Sequence, residues 1–304
     1  MNKIVTHNAG FHTDDVFAVA TLMLLLNDEA EVIRTRDEEI IKTGDYVVDV
    51  GLIYDEEKNR FDHHQKGGAS KRENGIPYAS FGLVWKKFGE ELCGSGDVAI
   101  DIEKNIAQGI DALDNGFNIS KSLIPNVFIY NIWGVIGTYE PTWKELNNVN
   151  IDDKFLEAVD FAKRILKIEI KKTKDRLEAE EAIRERYNNS EDKRLIVLGH
   201  KDMYGRVITS NTLIDFPEPL YVVLRKDISY RNYVQAWQVV AINKSRGDFT
   251  FRKPLPENWR GLPSEELIKE TGVEDVTFCH NNGLMCMAGS KEGAIKLAKL
   301  ALEA

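Results

Sequence analysis

Alternation constrains this chain most. Over residues 3–116, short β-rich runs take turns with longer helical ones. KIVTH (3–7), EVIRTR (31–36), DYVVDVG (45–51) and NRFDHHQ (59–65) read as strands. DDVFAVATLMLLLN (14–27), YASFGLVWKKFGEEL (78–92) and DIEKNIAQGIDALDNG (101–116) read as helices, the first with Thr13 at its cap. Strands that alternate with helices need crossover connections and so imply an α/β sheet. DYVVDVG is apolar enough to be buried on both faces of that sheet. Sites in such sheets gather at the carboxyl ends of strands, where His7, Asp49 and Asp62–His64 all fall.

Residues 153–187 change character: they are highly charged, free of Gly and Pro, and helix-forming throughout. They read as a partly exposed helix joining two lobes, with its Lys/Arg face solvated. A second α/β segment follows. RLIVLG (194–199), LYVVLR (220–225) and YVQAWQVVAI (233–242) are expected strands, and VTFCHNNG (276–283) is a strand running into a turn. SEELIKETG (264–272) and KEGAIKLAKLALEA (291–304) are expected helices. The expected architecture is two-lobed α/β. A catalytic domain over 1–150 has a mainly parallel sheet with flanking helices, a linker helix covers 151–190, and a smaller α/β substrate-binding lobe covers 191–304.

The longest apolar run, VFAVATLMLLL (16–26), is about half the length needed to cross a bilayer and reads as a buried core helix. The N-terminus lacks the layout of a signal or transit peptide. Three cysteines, an odd count without paired spacing, fit a reducing cytoplasm. The formal charge of −9 argues against a protein that coats duplex DNA, yet suits one that holds a divalent metal with carboxylates and grips phosphate with a few local arginines.

Four of the six histidines (His7, His12, His63 and His64) sit in two tight clusters beside aspartate. HNAGFHTDD, VVDVG, FDHHQ and GIDALDNG each offer Asp or His where an element would hand it to one crevice. Divalent metals of hard or borderline character take carboxylate oxygen and imidazole nitrogen together. An unpartnered Asp49 inside an apolar strand would be costly, which favours a ligand role. Asp14 and Asp15 also suit the first turn of a helix for purely electrostatic reasons. Asp62 can orient an imidazole from behind. Asp111 and Asp114 share a helical face, and either one could be the ligand.

In the second lobe, FRKPLPENWRGL (251–262) offers Arg252, Lys253 and Arg260 to phosphate. CHNNG places His280 and Asn281 before Gly283 in a turn able to present backbone N–H groups to an anion. Trp143, Trp237 and Trp259 read as packing residues before base-stacking ones. His200 has no cluster partner, and Cys279, His280 and Cys286 fit no common zinc site.

The FDHHQ segment resembles the Asp-His-His signature of the DHH phosphoesterase superfamily. The four motifs together resemble one branch of it, the MYG1 (UPF0160) family, as do FRKPLPENWRGL and FCHNNGLMCMAGSKEGA (278–294). The likeness covers nearly the whole chain. It implies a DHH-like catalytic domain with a two-metal Mn²⁺ or Mg²⁺ site, and 3′→5′ exonuclease action on RNA or short single-stranded oligonucleotides. By motif, His7, His12 and Asp14 would hold one metal region, Asp49 would bridge, His63 would ligate, and Asp111 or Asp114 would complete the set. Asp15 and Asp62 would support these ligands, and His64 would face the substrate phosphate, giving Asp49, His63 and His64 the catalytic roles. His12 departs from the superfamily, whose first motif carries Asp at that place. The rival readings are a pyrophosphatase or cyclic-dinucleotide phosphodiesterase, and a metal-stabilised RNA-binding protein with degenerate catalysis. A homodimer is compatible with the sequence.

Overall fold

A computed structural model of the chain describes residues 1–226 and 236–304. It separates into two compact units, Met1–Lys174 and Asp175–Ala304.

The first unit is built on a five-stranded sheet of β1 (Asn2–Thr6), β2 (Ala30–Arg34), β3 (Tyr46–Val48), β4 (Tyr54–Asp55) and β5 (Arg60–Phe61), in the order β2-β1-β3-β5-β4. The β1/β2, β1/β3 and β3/β5 pairs are parallel, and β4 runs antiparallel to β5 at the edge. The mainly parallel sheet expected from the alternation is present. Its helices are α1 (Thr13–Leu25), α2 (Glu38–Lys42), α3 (Ser80–Cys93), α4 (Gly96–Ile102), α5 (Gln108–Asp114) and α6 (Ile132–Ile136). From Thr13 to Leu22 every residue of α1 is buried. A helix apolar on all sides must sit in a core, and α1 packs against α3 with Phe17 and Phe81 5.3 Å apart.

The helix read over 101–116 is observed as two, α4 and α5, joined by a π-helical turn at Glu103–Ala107. The wider turn changes the phase of the helix and so redirects the side chains after it. The helix read over 153–187 is α7 (Ile151–Asn189), and the division between the units falls within it. Phe155, Ala158, Val159, Ala162, Leu166 and Ile170 form a buried stripe at helical spacing in the first unit.

The second unit carries β6 (Leu195–Val197), α8 (Arg206–Leu213), β7 (Tyr221–Lys226), β8 (Ala236–Ala241), α9 (Ser264–Thr271), β9 (Val276–Cys279), β10 (Met285–Ala288) and α10 (Lys291–Glu303). The sheet order is β6-β7-β8-β10-β9, parallel at β6/β7 and antiparallel elsewhere. Of the strand expected over 233–242, positions 233–235 lie outside the described residues. Trp237, Tyr221 and Trp259 form its core with Leu297, Ala298 and Ala301 of α10. Among the described residues, no helix is long and apolar enough to cross a membrane.

Candidate metal centre

Sheet order creates the site. From β1 the chain goes to β2 on one side and later returns as β3 on the other, so a crevice opens at the carboxyl ends of β1 and β3. His7 is the first residue after β1, Asp49 the first after β3 and Asp62 the first after β5. The first turn of α1 supplies Asp14 and Asp15 to the same place. Asp49 has φ of 55°, a left-handed conformation in which a non-glycine residue is strained.

Three sets of donor atoms converge, each with its atoms within 4.8 Å of one another: His7, Asp15 and Asp49; Asp49, His63 and His64; Asp14, His63 and Asp114. His7 Nδ1 faces the Asn8 carbonyl at 3.1 Å, which leaves Nε2 3.2 Å from both Asp15 Oδ2 and Asp49 Oδ2. His63 Nε2 lies 3.1 Å from Asp114 Oδ2, 3.3 Å from Asp49 Oδ1 and 3.9 Å from Asp14 Oδ2. Asp49 therefore presents one carboxylate oxygen to each imidazole. Asp62 accepts from the Leu52 and His64 N–H groups, and His64 Nδ1 donates to it at 2.9 Å.

Ionisation follows from the crowding. Burial works against the imidazolium of His7, but Asp15 and Asp49 outweigh it and raise its pKa to about 10. Burial likewise opposes charge on His63, but Asp114 and Asp49 lift it to about 11. Burial acts against the Asp49 carboxylate too, yet His63 and His7 hold its pKa far below the usual range. Burial and then the charges of Asp114, Asp49 and Asp111 push Asp14 upward, and burial pushes Asp15 upward. So many carboxylates in so little space call for positive charge.

The donor set fits a divalent cation. Asp15 Oδ2 and His63 Nε2 are buried and make no hydrogen bond, although each has a donor atom of the cluster close by. A buried polar atom without a partner costs about 1–3 kcal/mol. Carboxylate oxygens and imidazole nitrogens turned toward a shared centre form a donor set that a cation would satisfy in place of the imidazole protons.

Other expected residues are placed elsewhere. Asp111 lies outside the three sets. Its Oδ2 accepts from Arg72 at 2.6 Å and its Oδ1 from the Gly82 N–H at 3.0 Å. Only a glycine at 82 permits this approach, since a Cβ there would overlap the carboxylate. With Ala79 at its N-cap, α3 has no local side-chain cap. Asp14 accepts from Ser80 N and Phe81 N in its place, so Asp14 and Asp111 cap α3 from outside. His12 is also outside the sets. It takes the N-cap of α1 in place of Thr13, its N–H donates to Asp15 Oδ1, and its ring stacks on Trp133 at 5.5 Å. Asp15, expected behind the ligands, stands among the donors.

In the second unit, Arg252 donates to the Ile214, Phe216 and Pro219 carbonyls just past α8. Lys253 donates to the Leu302 carbonyl near the end of α10, and Arg260 to the Leu255 carbonyl. Basic groups there hydrogen-bond backbone carbonyls, some at helix ends. His280 and Gly283 form the turn between β9 and β10, with Gly283 N donating to the His280 carbonyl at 2.9 Å. Gly283 has φ of 74°, and the Asn281 side chain packs against Gly261. Trp237 and Trp259 are core residues, and Trp143 is exposed. His200 rests edge-on against Trp237.

Two residues of the site were not legible in the sequence. Ser80 Oγ donates to Asp49 Oδ1 at 3.1 Å, and Arg72 bridges Asp111 and Glu103. Neither lies in a motif. The one available signal was the lack of a capping residue before α3, which calls for a cap from elsewhere.

Comparison with known proteins gives the following likenesses. The model of an uncharacterised protein family, UPF0160 (MYG1_exonuc), matches residues 3–302. The MYG1 exonuclease of Homo sapiens is 28% identical over 332 residues, covering 99% of this chain and 85% of its own length. The MYG1 protein YER156C of Saccharomyces cerevisiae is 30% identical over 330 residues, covering 99% and 95%. The crystal structure of RecJ in complex with Mn²⁺ from Thermus thermophilus aligns at a TM-score of 0.28 and 12% identity, over 99% of this chain and 52% of that one. A likeness that low carries no weight for the site.

Proposed function

The chain belongs to the UPF0160 (MYG1) family, and on that premise we propose that it is a divalent-metal-dependent phosphodiester hydrolase. In this reading it is an exonuclease that shortens RNA or short single-stranded oligonucleotides in the 3′→5′ direction. The observation that carries the proposal is Asp49, one oxygen toward His7 and the other toward His63, joining two donor sets. The human relative bears the name exonuclease.

His7, Asp15 and Asp49 would hold one Mn²⁺ or Mg²⁺ ion, and Asp49, Asp14, His63 and Asp114 the other. When bound, such ions supply Lewis-acid activation of water and neutralise phosphate charge. The residues do the rest. Asp14 is fixed by the N–H groups of α3, and His7 is oriented by the Asn8 carbonyl. His64 is half exposed and tied to Asp62 through Nδ1, and Asp62 favours its imidazolium form, in which Nε2 could also donate to a phosphate oxygen.

The test uses RNA and DNA oligomers labelled at either end, with Mn²⁺, Mg²⁺ or EDTA. A ladder shortening from the 3′ end, seen with metal and lost in EDTA, is expected for linear RNA and not for circular RNA. Equal cleavage of circular and linear RNA would remove the exonuclease reading. Hydrolysis of pyrophosphate alone would replace it with a different substrate class.

A further inference from the structure

A groove of about 640 Å³ adjoins the donor cluster within the first unit, and His7, Asp49, His64, Arg36, Leu52 and Ile53 are among the residues that line it. The two arginines of EVIRTR differ sharply. Arg34 is buried, paired with Asp152 and bonded to the Ala9 carbonyl. Arg36 is exposed and, among the described residues, has neither a hydrogen bond nor an ion pair. Lys42 also lines the groove, but it pairs with Glu39. Glu38 lines it too, without pairing to Arg36. Arg36 is thus the unpartnered cation among the described residues lining the groove.

Leu52 and Ile53, in the same lining, are 63% and 54% exposed. They are not loosely placed. Asp49, Gly51 and Leu52 all have positive φ, at 55°, 97° and 58°, so the loop is wound into a conformation that leucine disfavours. Asp62 holds it there: Leu52 N donates to Asp62 Oδ2 at 2.6 Å, and Asp62 N donates to the Ile53 carbonyl at 3.1 Å. The same Asp62 orients His64. One buried carboxylate therefore sets the apolar pair and the His64 ring together. Strain that displays apolar side chains to solvent does nothing for the core, and such strain clusters at active and ligand sites.

We propose that this groove is a nucleotide subsite, in which Arg36 binds a phosphate and Leu52 with Ile53 carries the base. The inference rests on the phosphodiesterase reading and adds to it the residues that would hold the nucleotide. A free cation beside an apolar shelf matches an anion joined to a flat ring, whereas pyrophosphate would leave the shelf bare.

The test is calorimetric titration of the full-length, Mn²⁺-loaded protein with adenosine 5′-monophosphate, ribose 5-phosphate and inorganic phosphate. Wild-type protein is expected to bind the nucleotide about tenfold more tightly than ribose 5-phosphate, from burial of the base. Leu52→Asn, a residue that tolerates the left-handed backbone, is expected to bring that ratio close to one. Arg36→Ala is expected to weaken all three probes by about tenfold and keep the ratio, with Arg36→Lys recovering part of the loss. Variants that bind like wild type, or wild-type protein that binds the nucleotide no better than phosphate, overturn the subsite. Oligonucleotide hydrolysis measured in parallel separates the two ideas. Cleavage by wild type with nucleotide binding indifferent to both positions sinks the subsite and keeps the function. Binding that depends on both positions without any cleavage keeps the subsite and sinks the function.

Discussion

Replacing Arg72 with methionine keeps most of its volume and removes its charge. The guanidinium is 5% exposed, bonds Asp111 at 2.6 Å and Glu103 at 2.5 Å, and lies 3.9 Å over the Tyr78 ring. Breaking a buried pair by removing one partner costs about 3–5 kcal/mol, because the other charge is left without compensation. Asp111 can escape part of that by taking a proton. Burial raises its pKa from 3.8 to about 7 even though Arg72 and the Gly82 N–H pull it down. A carboxyl raised on folding opposes stability as pH climbs above its unfolded value, and without Arg72 its pKa climbs further. The penalty is therefore larger at pH 8 and smaller at pH 5, where Asp111 is neutral in both proteins. The Asp111 share of that difference is at most about 1.4 kcal/mol, the cost of keeping it neutral over the one pH unit between 7 and 8. Urea unfolding of the metal-free proteins at the two pH values reads this directly. A loss under about 1 kcal/mol at pH 8, or a greater loss at pH 5, would refute the reasoning. Because Asp111 lies outside the donor sets, the folded variant should keep its Mn²⁺ affinity.

Asp114→Asn is expected to lower Mn²⁺ affinity at least tenfold in calorimetry, because it takes a donor from beside His63, whereas Asp111→Asn should act mainly on stability. His7 and His63 are raised from 6.5 to about 10 and about 11 on folding, so their contribution is whole below pH 6.5 and is lost as pH rises through those values. Metal-free protein should accordingly melt lower at pH 10 than at pH 6.5, and a flat profile would contradict that origin. Arg252→Ala removes three hydrogen bonds to carbonyls past α8 and should lower the urea midpoint by the equivalent of about 2–4 kcal/mol.

The sheet of the first unit was readable because its strands are apolar and its helices amphipathic or wholly apolar, and each pattern reports its own burial. His7, Asp49 and His63 were readable for the same reason, since polar residues at the ends of apolar strands stand out. Asp114 could not be told from Asp111 by spacing. What parts them is Arg72, thirty-nine residues earlier in the chain, together with the π turn that sets the phase of α5. β4, with two residues, is too short to show a period. β10 carries no polar alternation, since MCMA is apolar throughout, and only Asn-Asn-Gly before it signals a hairpin. Arg252 and Arg260 show the limit from the other side. An arginine that seals helix or loop carbonyls and one that grips phosphate look alike until its neighbours are known.

In the proposed function, the donor sets joined by Asp49 form a metal-dependent hydrolytic centre. Hydrolysis of a 3′-labelled RNA oligomer by metal-stripped protein, before and after Mn²⁺ is restored, tests it most directly when run beside Asp49→Asn, which keeps the shape and tolerates the same backbone. No cleavage is expected without metal, cleavage on its return, and a loss of at least about a hundredfold in the variant (about 2.7 kcal/mol or more). Equal cleavage in EDTA, or an Asp49→Asn protein as active as wild type, would contradict it.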